Sequence, residues 1–416
     1  MRVELVCELH FKQDTAFGES ESNERQNSMS GIANPGPSAD AALRIDFIIT
    51  ELFIGGAERC LTELAIGLAK RGDHVRVASV GSLPRGQQAA LVDRLGAAGI
   101  EVFSAHCDRP LQFLRGRAAL RDWMQRDRPD LVQTMLFHAN VLGTLAAAAA
   151  GVTLRVGGVR VAERSRLRSM LEAWAMKRMD AVVCVSDSVR EFVNAVHQTK
   201  ATLHVIGNSV DLQQVDTTQE VDWSQVEWAE GPVGDQVLLF VGRLHTQKGI
   251  DILFNALPDL LDRYPDMQVV IVGDGPLRGW VVRRAQEMGR KRVAVMGWRG
   301  DAHSLIKGCR LLVLPSRYEG MPNVVMEAMA ASKPIAATRV EGVNELLREG
   351  ASDQTCPPND VGALSRLVDQ LWRDPQRAML IGQRNREIIA AHHSSEAMVE
   401  LYRDLYRSLI DQRSAG

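Results

Sequence analysis

Glu319 and Glu327 stand eight residues apart, with Gly320, Met321, Pro322 and Asn323 in between. Leu311–Leu314 is a short apolar run before them, and the residues flanking Glu327 on both sides are apolar. That pattern predicts a buried strand, a loop carrying Glu319, and a helix starting near Asn323. A loop carboxylate at a strand end can accept hydrogen bonds from hydroxyl groups. The backbone of Gly320, Met321, Pro322 and Asn323 at a helix start makes a nest for an anion. Glu327, about one turn into the helix, can accept two hydrogen bonds from a vicinal diol such as a ribose. Two glutamates on a solvated helix face would give the same spacing, but the apolar run after Glu327 argues against exposure.

The cations that would match an anion lie upstream. Val237–Val241 reads as a strand delivering Gly242 and Arg243, and Lys248-Gly249 opens the next helix five residues later. Arg243 and Lys248 beside a helix N-terminus favour a diphosphate. A second strand ends in Gly273-Asp274-Gly275-Pro276, where Gly273 and Gly275 would let backbone approach a ligand and Pro276 suits a first helical turn. In the first half, Gly55-Gly56-Ala57-Glu58 follows a strand and opens a helix. The fingerprint G-x-G-x-x-G is absent there, which removes a nicotinamide-binding reading. His138 lies just past another strand end, facing the same side, and a packed core histidine is its alternative reading. Residues 155–178 hold seven basic and two acidic side chains. Within them Arg160, Arg164, Arg166 and Arg168 precede an amphipathic segment carrying Leu171 and Trp174. Such a patch suits an anionic membrane surface or a phosphate-bearing ligand, and a solvated helix flank is the plain alternative.

These groups need a scaffold that brings many strand ends together. Strand and helix patterns alternate from Arg44 to about Ile206, with helices expected near 87–98, 115–126, 169–177 and 188–196. The run from Leu131 to Leu154 is long enough to suggest a membrane span. Its Gln133, His138 and Asn140 and its alanine block fit a buried strand, a short loop and a small-residue helix instead. Residues 211–234 are polar and turn-rich and read as a connection, after which the alternation resumes. Strands are expected at 237–241, 268–272, 292–296, 311–314, 335–337 and 354–356. From Pro375 onward the chain reads as helical. Such alternation implies mostly parallel sheets covered by helices, with ligands at the C-terminal strand ends.

The 416 residues carry 49 Lys+Arg and 51 Asp+Glu, a net charge of −2, and only 5% aromatic residues. That balance argues against a nucleic-acid partner, which usually needs a basic domain or stacking rings. Charge is unevenly spread: −4 over residues 1–43, +6 over 44–206 and −4 over 207–416. Residues 1–43 read as a separate leader whose Gly18–Asp40 stretch has the Ser-, Asn-, Glu-, Gly- and Pro-rich composition that favours disorder, and Met29 is a candidate start. The six cysteines form no C-x-x-C pair, so neither a zinc site nor a disulfide framework is expected, and a reducing, cytoplasmic location fits. No secretory signal is visible, and no Asp-x-Asp metal clamp occurs.

Taken in order, Gly55–Glu58, Asn208-Ser209-Val210-Asp211, Gly242-Arg243 with Lys248-Gly249, Gly273–Pro276, Leu314-Pro315-Ser316 and Glu319-Gly320 with Glu327–Ala330 resemble the family-4 retaining glycosyltransferases of the GT-B fold. The likeness covers roughly residues 44–390. Ser209 stands where the family usually has glycine, and Met321-Pro322 where many members have Phe-Gly. The resemblance implies two doubly wound Rossmann-like domains facing across a cleft: an acceptor domain at 44–210, a linker at 211–234 and a donor domain at 235–390. A C-terminal helix at 391–416 would pack back on the first domain. It implies a nucleotide-diphosphate sugar as co-substrate, no other cofactor, no metal, and a glycan or lipid-linked acceptor in envelope or exported polysaccharide synthesis. Arg243 and Lys248 would hold the diphosphate, Glu327 the ribose, and Glu319 the transferred sugar near its reacting carbon. Gly56 would approach the diphosphate and His138 would touch the sugar. The leaving phosphate would take the acceptor proton, and the anomeric configuration would be retained. Two alternatives remain: a nucleotide-sugar epimerase or hydrolase of the same fold, and a non-catalytic partner subunit.

Overall fold

The computed structural model describes residues 41–161, 165–197, 199–228, 231–232, 234–289 and 291–414. The first half runs β1 (Arg44–Ile49), α1 (Gly56–Lys70), β2 (His74–Ser79), α2 (Ala90–Ala97), β3 (Glu101–Ser104), α3 (Phe113–Asp127), β4 (Leu131–Met135), α4 (Phe137–Ala150), β5 (Leu154–Val159), α5 (Arg166–Met176), β6 (Ala181–Cys184), α6 (Asp187–His197) and β7 (Thr202–Val205). Its seven strands pair in parallel in the order β3-β2-β1-β4-β5-β6-β7. The order reverses between β1 and β4, and a ligand crevice lies at such a switch point in open α/β sheets. Strands β1 and β4 are buried on both faces, Arg44 apart, because helices cover both.

The second half runs α7 (Leu212–Thr217), a short antiparallel pair of β8 (Glu227–Trp228) and β9 (Gly231–Pro232), β10 (Val237–Val241), α8 (Ile250–Arg263), β11 (Gln268–Val272), α9 (Arg278–Glu287), β12 (Val293–Gly297), α10 (Ala302–Gly308), β13 (Leu311–Leu314), α11 (Asn323–Ala330), β14 (Ile335–Thr338), α12 (Glu341–Leu347), α13 (Ala351–Gln354), β15 (Thr355–Cys356), α14 (Val361–Arg373), α15 (Pro375–His392) and α16 (Ser395–Ser414). The six-stranded sheet is parallel in the order β12-β11-β10-β13-β14-β15, with its own switch between β10 and β13. Each half thus repeats one Rossmann-like plan.

Sequence periodicity missed β5. Its Gly157-Gly158 pair weakens any strand signal, and packing explains the pair. A side chain at Gly157 would collide with the sulfur of Met179, and one at Gly158 would press on the Thr134 carbonyl. The segment read as a polar connection is also more ordered than its composition suggests. Asp211 caps α7 by accepting from the Gln214 N–H at 2.8 Å, and Lys307 Nζ ties down the carbonyls of Val215 and Thr218 at 3.0 and 2.6 Å. Trp223 is buried and donates to the Gly308 carbonyl at 2.7 Å. The connection is therefore part of the second half.

α16 crosses back to the first half. Met398, Val399, Tyr402 and Tyr406 are buried in the same apolar cluster as Cys60, Leu61, Leu64 and Leu68 of α1. Tyr406 donates to Gln133 at 3.1 Å, and Arg403 pairs with the buried Asp73 at 3.1 Å. Among the described residues no helix is long and apolar enough to cross a membrane. The described cysteines are all unpaired, and all but Cys107 are buried.

Candidate functional site

The loops leaving β10 and β13 are laced together. The Arg317 guanidinium forms a bidentate pair with Asp251 at 2.8 and 2.7 Å and also donates to the Thr246 carbonyl at 2.7 Å. The Arg317 N–H donates to the Gln247 carbonyl at 2.7 Å, and the Gln247 amide donates to the Tyr318 carbonyl at 3.0 Å. Planar, bidentate contacts of this kind fix one loop against the other. Their result is local: Lys248 Nζ meets Glu319 Oε1 at 2.6 Å, and the buried Ser316 hydroxyl donates to the same oxygen at 2.6 Å. Glu319 is therefore not the free carboxylate expected from the sequence. It is held in place, with Lys248 retaining two further donors for an anion. Arg243 lies two residues past the end of β10 and is exposed, and its side chain makes no hydrogen bond or ion pair among the described residues.

Gly273 and Gly275 serve differently from expectation. A side chain at Gly273 would strike the Gly242 carbonyl, and one at Gly275 the Leu244 carbonyl at 2.5 Å. The backbone that approaches these glycines is the neighbouring Arg243 loop, so packing of that loop by itself demands glycine at both positions.

Gly320 is pressed between the domains. A side chain there would run into the carbonyl oxygen of Arg160, at the end of β5. Asn208 then bonds the following residues: its amide donates to the Met321 carbonyl at 3.1 Å and to Asn323 Oδ1 at 2.7 Å. Asn323 in turn donates to the Gly56 carbonyl at 3.0 Å. The start of α1 and the start of α11 therefore face each other, and Pro322 occupies the N-cap of α11. Two helix N-termini at one place concentrate positive potential. On the far side, Glu345 of α12 accepts from the Asp187 and Ser188 N–H groups at 3.3 and 3.4 Å, giving α6 a carboxylate cap from the other domain.

Glu327 is buried, as the apolar run around it predicted, yet it is not solitary. Arg59 Nη1 of α1 reaches its Oε1 at 2.8 Å across the cleft, and His303 Nε2 of α10 lies 3.4 Å from the same oxygen. Burial pushes the Glu327 carboxyl up, but Arg59 and His303 outweigh it and hold the group below its ordinary range. Sequence reading missed both partners. Arg59 directly follows Gly55–Glu58, so proximity to that motif was the available signal, whereas nothing marks His303.

His138 is the second residue of α4. Leu136, just before the helix, has φ of 74°, a left-handed conformation that is costly for a branched side chain and that clusters at functional sites. The buried Asn140 holds this turn by accepting from Thr134 Oγ1 at 2.8 Å and donating to the Gly158 carbonyl at 3.0 Å and to Glu172 at 2.8 Å. Burial, aided by the nearby Arg168 charge, lowers the His138 pKa, so the ring is neutral near pH 7. Beside it the Arg168 guanidinium lies over the Phe137 ring at 5.4 Å. Glu58, also buried, is pushed up to about 7 by burial.

The basic cluster divides. Arg160 does not reach a membrane or an acceptor: it is 7% exposed and donates to Asn208 Oδ1 at 2.6 Å and to the Tyr402 hydroxyl at 3.1 Å. Arg166 is exposed and Arg168 half-buried at the start of α5. Arg164 lies outside the described residues.

Two family models match the chain. "Glycosyltransferase Family 4" covers residues 54–214, and "Glycosyl transferases group 1" covers residues 235–374. An alpha-D-kanosaminyltransferase of Streptomyces kanamyceticus is 28% identical over 57% of this chain and 63% of its own length. An O-antigen chain mannosyltransferase of Escherichia coli is 26% identical over 61% of this chain and 68% of its own. The chain thus spans about two thirds of the length of these curated relatives. A lipopolysaccharide core biosynthesis glycosyltransferase of Rhizobium meliloti aligns more fully, at 25% identity over 85% of this chain and 96% of its own. Among solved structures, Anabaena HepE in complex with UDP and glucose superposes with a TM-score of 0.74 at 21% identity, covering 88% of this chain and 100% of that one. Sucrose-phosphate synthase of Thermosynechococcus elongatus gives 0.71 at 21%, covering 89% and 100%. At that identity these two show the fold, which is GT-B.

Proposed function

The chain belongs to the glycosyltransferases of family 4 and group 1, and from that premise we propose that it transfers a sugar from a nucleotide-diphosphate donor to a hydroxyl acceptor with retained anomeric configuration. The observation that carries this reading is the cluster at the facing N-termini of α1 and α11. Arg243 and Lys248 lie in the loop before α8, Glu319 is fixed beside Lys248 ahead of α11, and Glu327 is buried and ionised one turn into α11. The barrier in such a transfer is departure of the diphosphate as the sugar gains positive charge. Fixed cations and helix N-termini stabilise the leaving group electrostatically without reorganising. Glu319 takes hydroxyls of the transferred sugar, Glu327 the ribose, and the neutral His138 ring faces the sugar from the other half. The leaving phosphate receives the acceptor proton. Two of the similar proteins are named for the O-antigen chain or for lipopolysaccharide core biosynthesis, and one structure holds UDP and glucose, which supports a nucleotide sugar and a glycan acceptor.

Screening UDP-, GDP- and ADP-sugars for turnover tests the donor, and NMR of the product's anomeric proton tests retention. Turnover with none of them, or an inverted product, would sink the corresponding half of the proposal.

The acceptor half also carries an apolar face. Leu111 is 97% exposed, Leu114 74%, Met170 66% and Leu167 50%. The segments bearing them, before and within α3 and at the start of α5, each follow the C-terminal end of a parallel strand and so share one end of the domain. Exposed Arg109, Arg115 and Arg166 stand among them. Apolar side chains ringed by arginine suit an anionic lipid surface presenting a lipid-linked acceptor. Co-sedimentation with phosphatidylglycerol vesicles, set against phosphatidylcholine alone, tests this. Recovery that the L111D/L114D pair leaves unchanged would remove it.

A further inference from the structure

Arg59 is a charged side chain from the first half that touches the candidate donor site, and the motifs quoted for the family likeness do not include it. It sits in the first turn of α1, four residues past the Gly55 N-cap. The Asn323 bond to the Gly56 carbonyl holds that turn against α11, so Arg59 meets Glu327 only with the halves in contact. Glu327 offers two oxygens, with about four acceptor positions in all. Arg59 and His303 both address Oε1, at 2.8 and 3.4 Å. That arrangement fixes the plane of the carboxylate and leaves acceptor capacity on Oε2 for a vicinal diol. Burial alone would drive Glu327 toward its neutral form, which accepts poorly, and the pairing opposes that.

We infer that Arg59 is a positioning residue of the donor site, supplied by the opposite domain: it keeps Glu327 ionised and aligned to receive the donor ribose. The inference rests on the donor reading given above. It makes nucleotide affinity depend on contact between the halves, because opening the cleft removes the cation that keeps Glu327 charged. Of the elements packed on α11, α10 contributes His303 to this carboxylate. Arg386 of α15 is turned instead to the Ala330 carbonyl and Asp216. The groups that perturb Glu327 are therefore Arg59 and His303.

The test is calorimetric titration of UDP, GDP and ADP into the full-length protein, its R59Q and R59K variants, and E327Q. For the diphosphate that the wild type binds, R59Q should weaken affinity about 10- to 100-fold, the scale of a lost hydrogen bond to a charged group. R59K should recover part of the loss. Between pH 8 and pH 5.5 the R59Q affinity should fall more steeply than the wild-type affinity, because its buried Glu327, left with His303 alone, protonates at higher pH. In the E327Q background R59Q should add little. Unchanged affinity, tighter affinity, or parallel pH profiles in R59Q and wild type would overturn the inference while leaving the donor reading intact. Failure of the wild type to bind any of the three diphosphates would overturn the donor reading and this inference with it. Matching thermal melts of R59Q and wild type separate either result from unfolding.

Discussion

The two halves are built on one plan but make their sites in opposite ways. In the second half, the groups that matter lie in consecutive loops, and their partners are close in sequence or on the adjacent strand: Ser316 with Glu319, Lys248 with Glu319, Arg317 with Asp251. The first half offers single residues whose partners are far away. Arg59 meets Glu327, Asn208 meets Asn323, and Arg160 meets Tyr402. Local sites leave motifs, because each residue constrains its neighbour's position. Distributed sites leave almost none, because the fold and not the spacing brings the partners together.

Breaking the local site should give the largest effect. E319A should reduce sugar transfer by at least about 10³-fold, the scale of losing a preorganised electrostatic contact to the reacting group, while the thermal melt stays cooperative. Turnover near wild type would mean that the loop cluster is not where transfer occurs. Next comes the seam between halves. G320A forces the Arg160 carbonyl away, so it should lower turnover on the order of 10²-fold and enlarge the radius of gyration in solution scattering. An unchanged radius with unchanged turnover would show that the contact at Gly320 is dispensable.

A smaller effect separates the buried and exposed arginines. R160M strips Asn208 and Tyr402 of their partner and should cost about 2–4 kcal/mol of stability in denaturant titration. R166A, at an exposed position, should change stability by less than about 0.5 kcal/mol. Equal effects would erase the division drawn within the basic cluster. The smallest expected effect is on pH dependence. Glu58 has a folded pKa of about 7, raised above its ordinary 4.5. Its contribution to stability is therefore present in full below pH 4.5 and is lost as pH rises through 7. The stability of the wild type should fall between pH 5 and pH 8 relative to E58Q, by on the order of 2–3 kcal/mol. Identical pH profiles would mean that Glu58 does not titrate in this range.

Legibility followed the same division. The paired carboxylates, Arg243 with Lys248, and the alternation of strands and helices were all readable, because apolar periodicity and glycine turns mark strand ends wherever they occur. What stayed hidden had a physical reason in each case. The Gly157-Gly158 pair hid β5 because a sulfur and a carbonyl claim the space of two side chains. Arg160 looks like its exposed neighbours because nothing in the sequence marks which first-half side chains the returning C-terminal helix covers. Gly273 and Gly275 were assigned to a ligand because a backbone neighbour and a ligand make the same demand on a glycine. His303 carried no mark, since its partner lies on a separate helix 24 residues away.

The chain passes between the halves twice, and the two passages run side by side. Val210 and Ser394 form a parallel bridge, and the Val210 N–H donates to the His393 carbonyl at 3.0 Å. A single connecting strand would allow the halves to swivel freely, whereas a stitched pair behaves as a narrow ribbon. A ribbon bends readily about the line across its width and resists twisting. The stitch ties the two passages to each other, so neither can turn independently of its neighbour while the bridge holds.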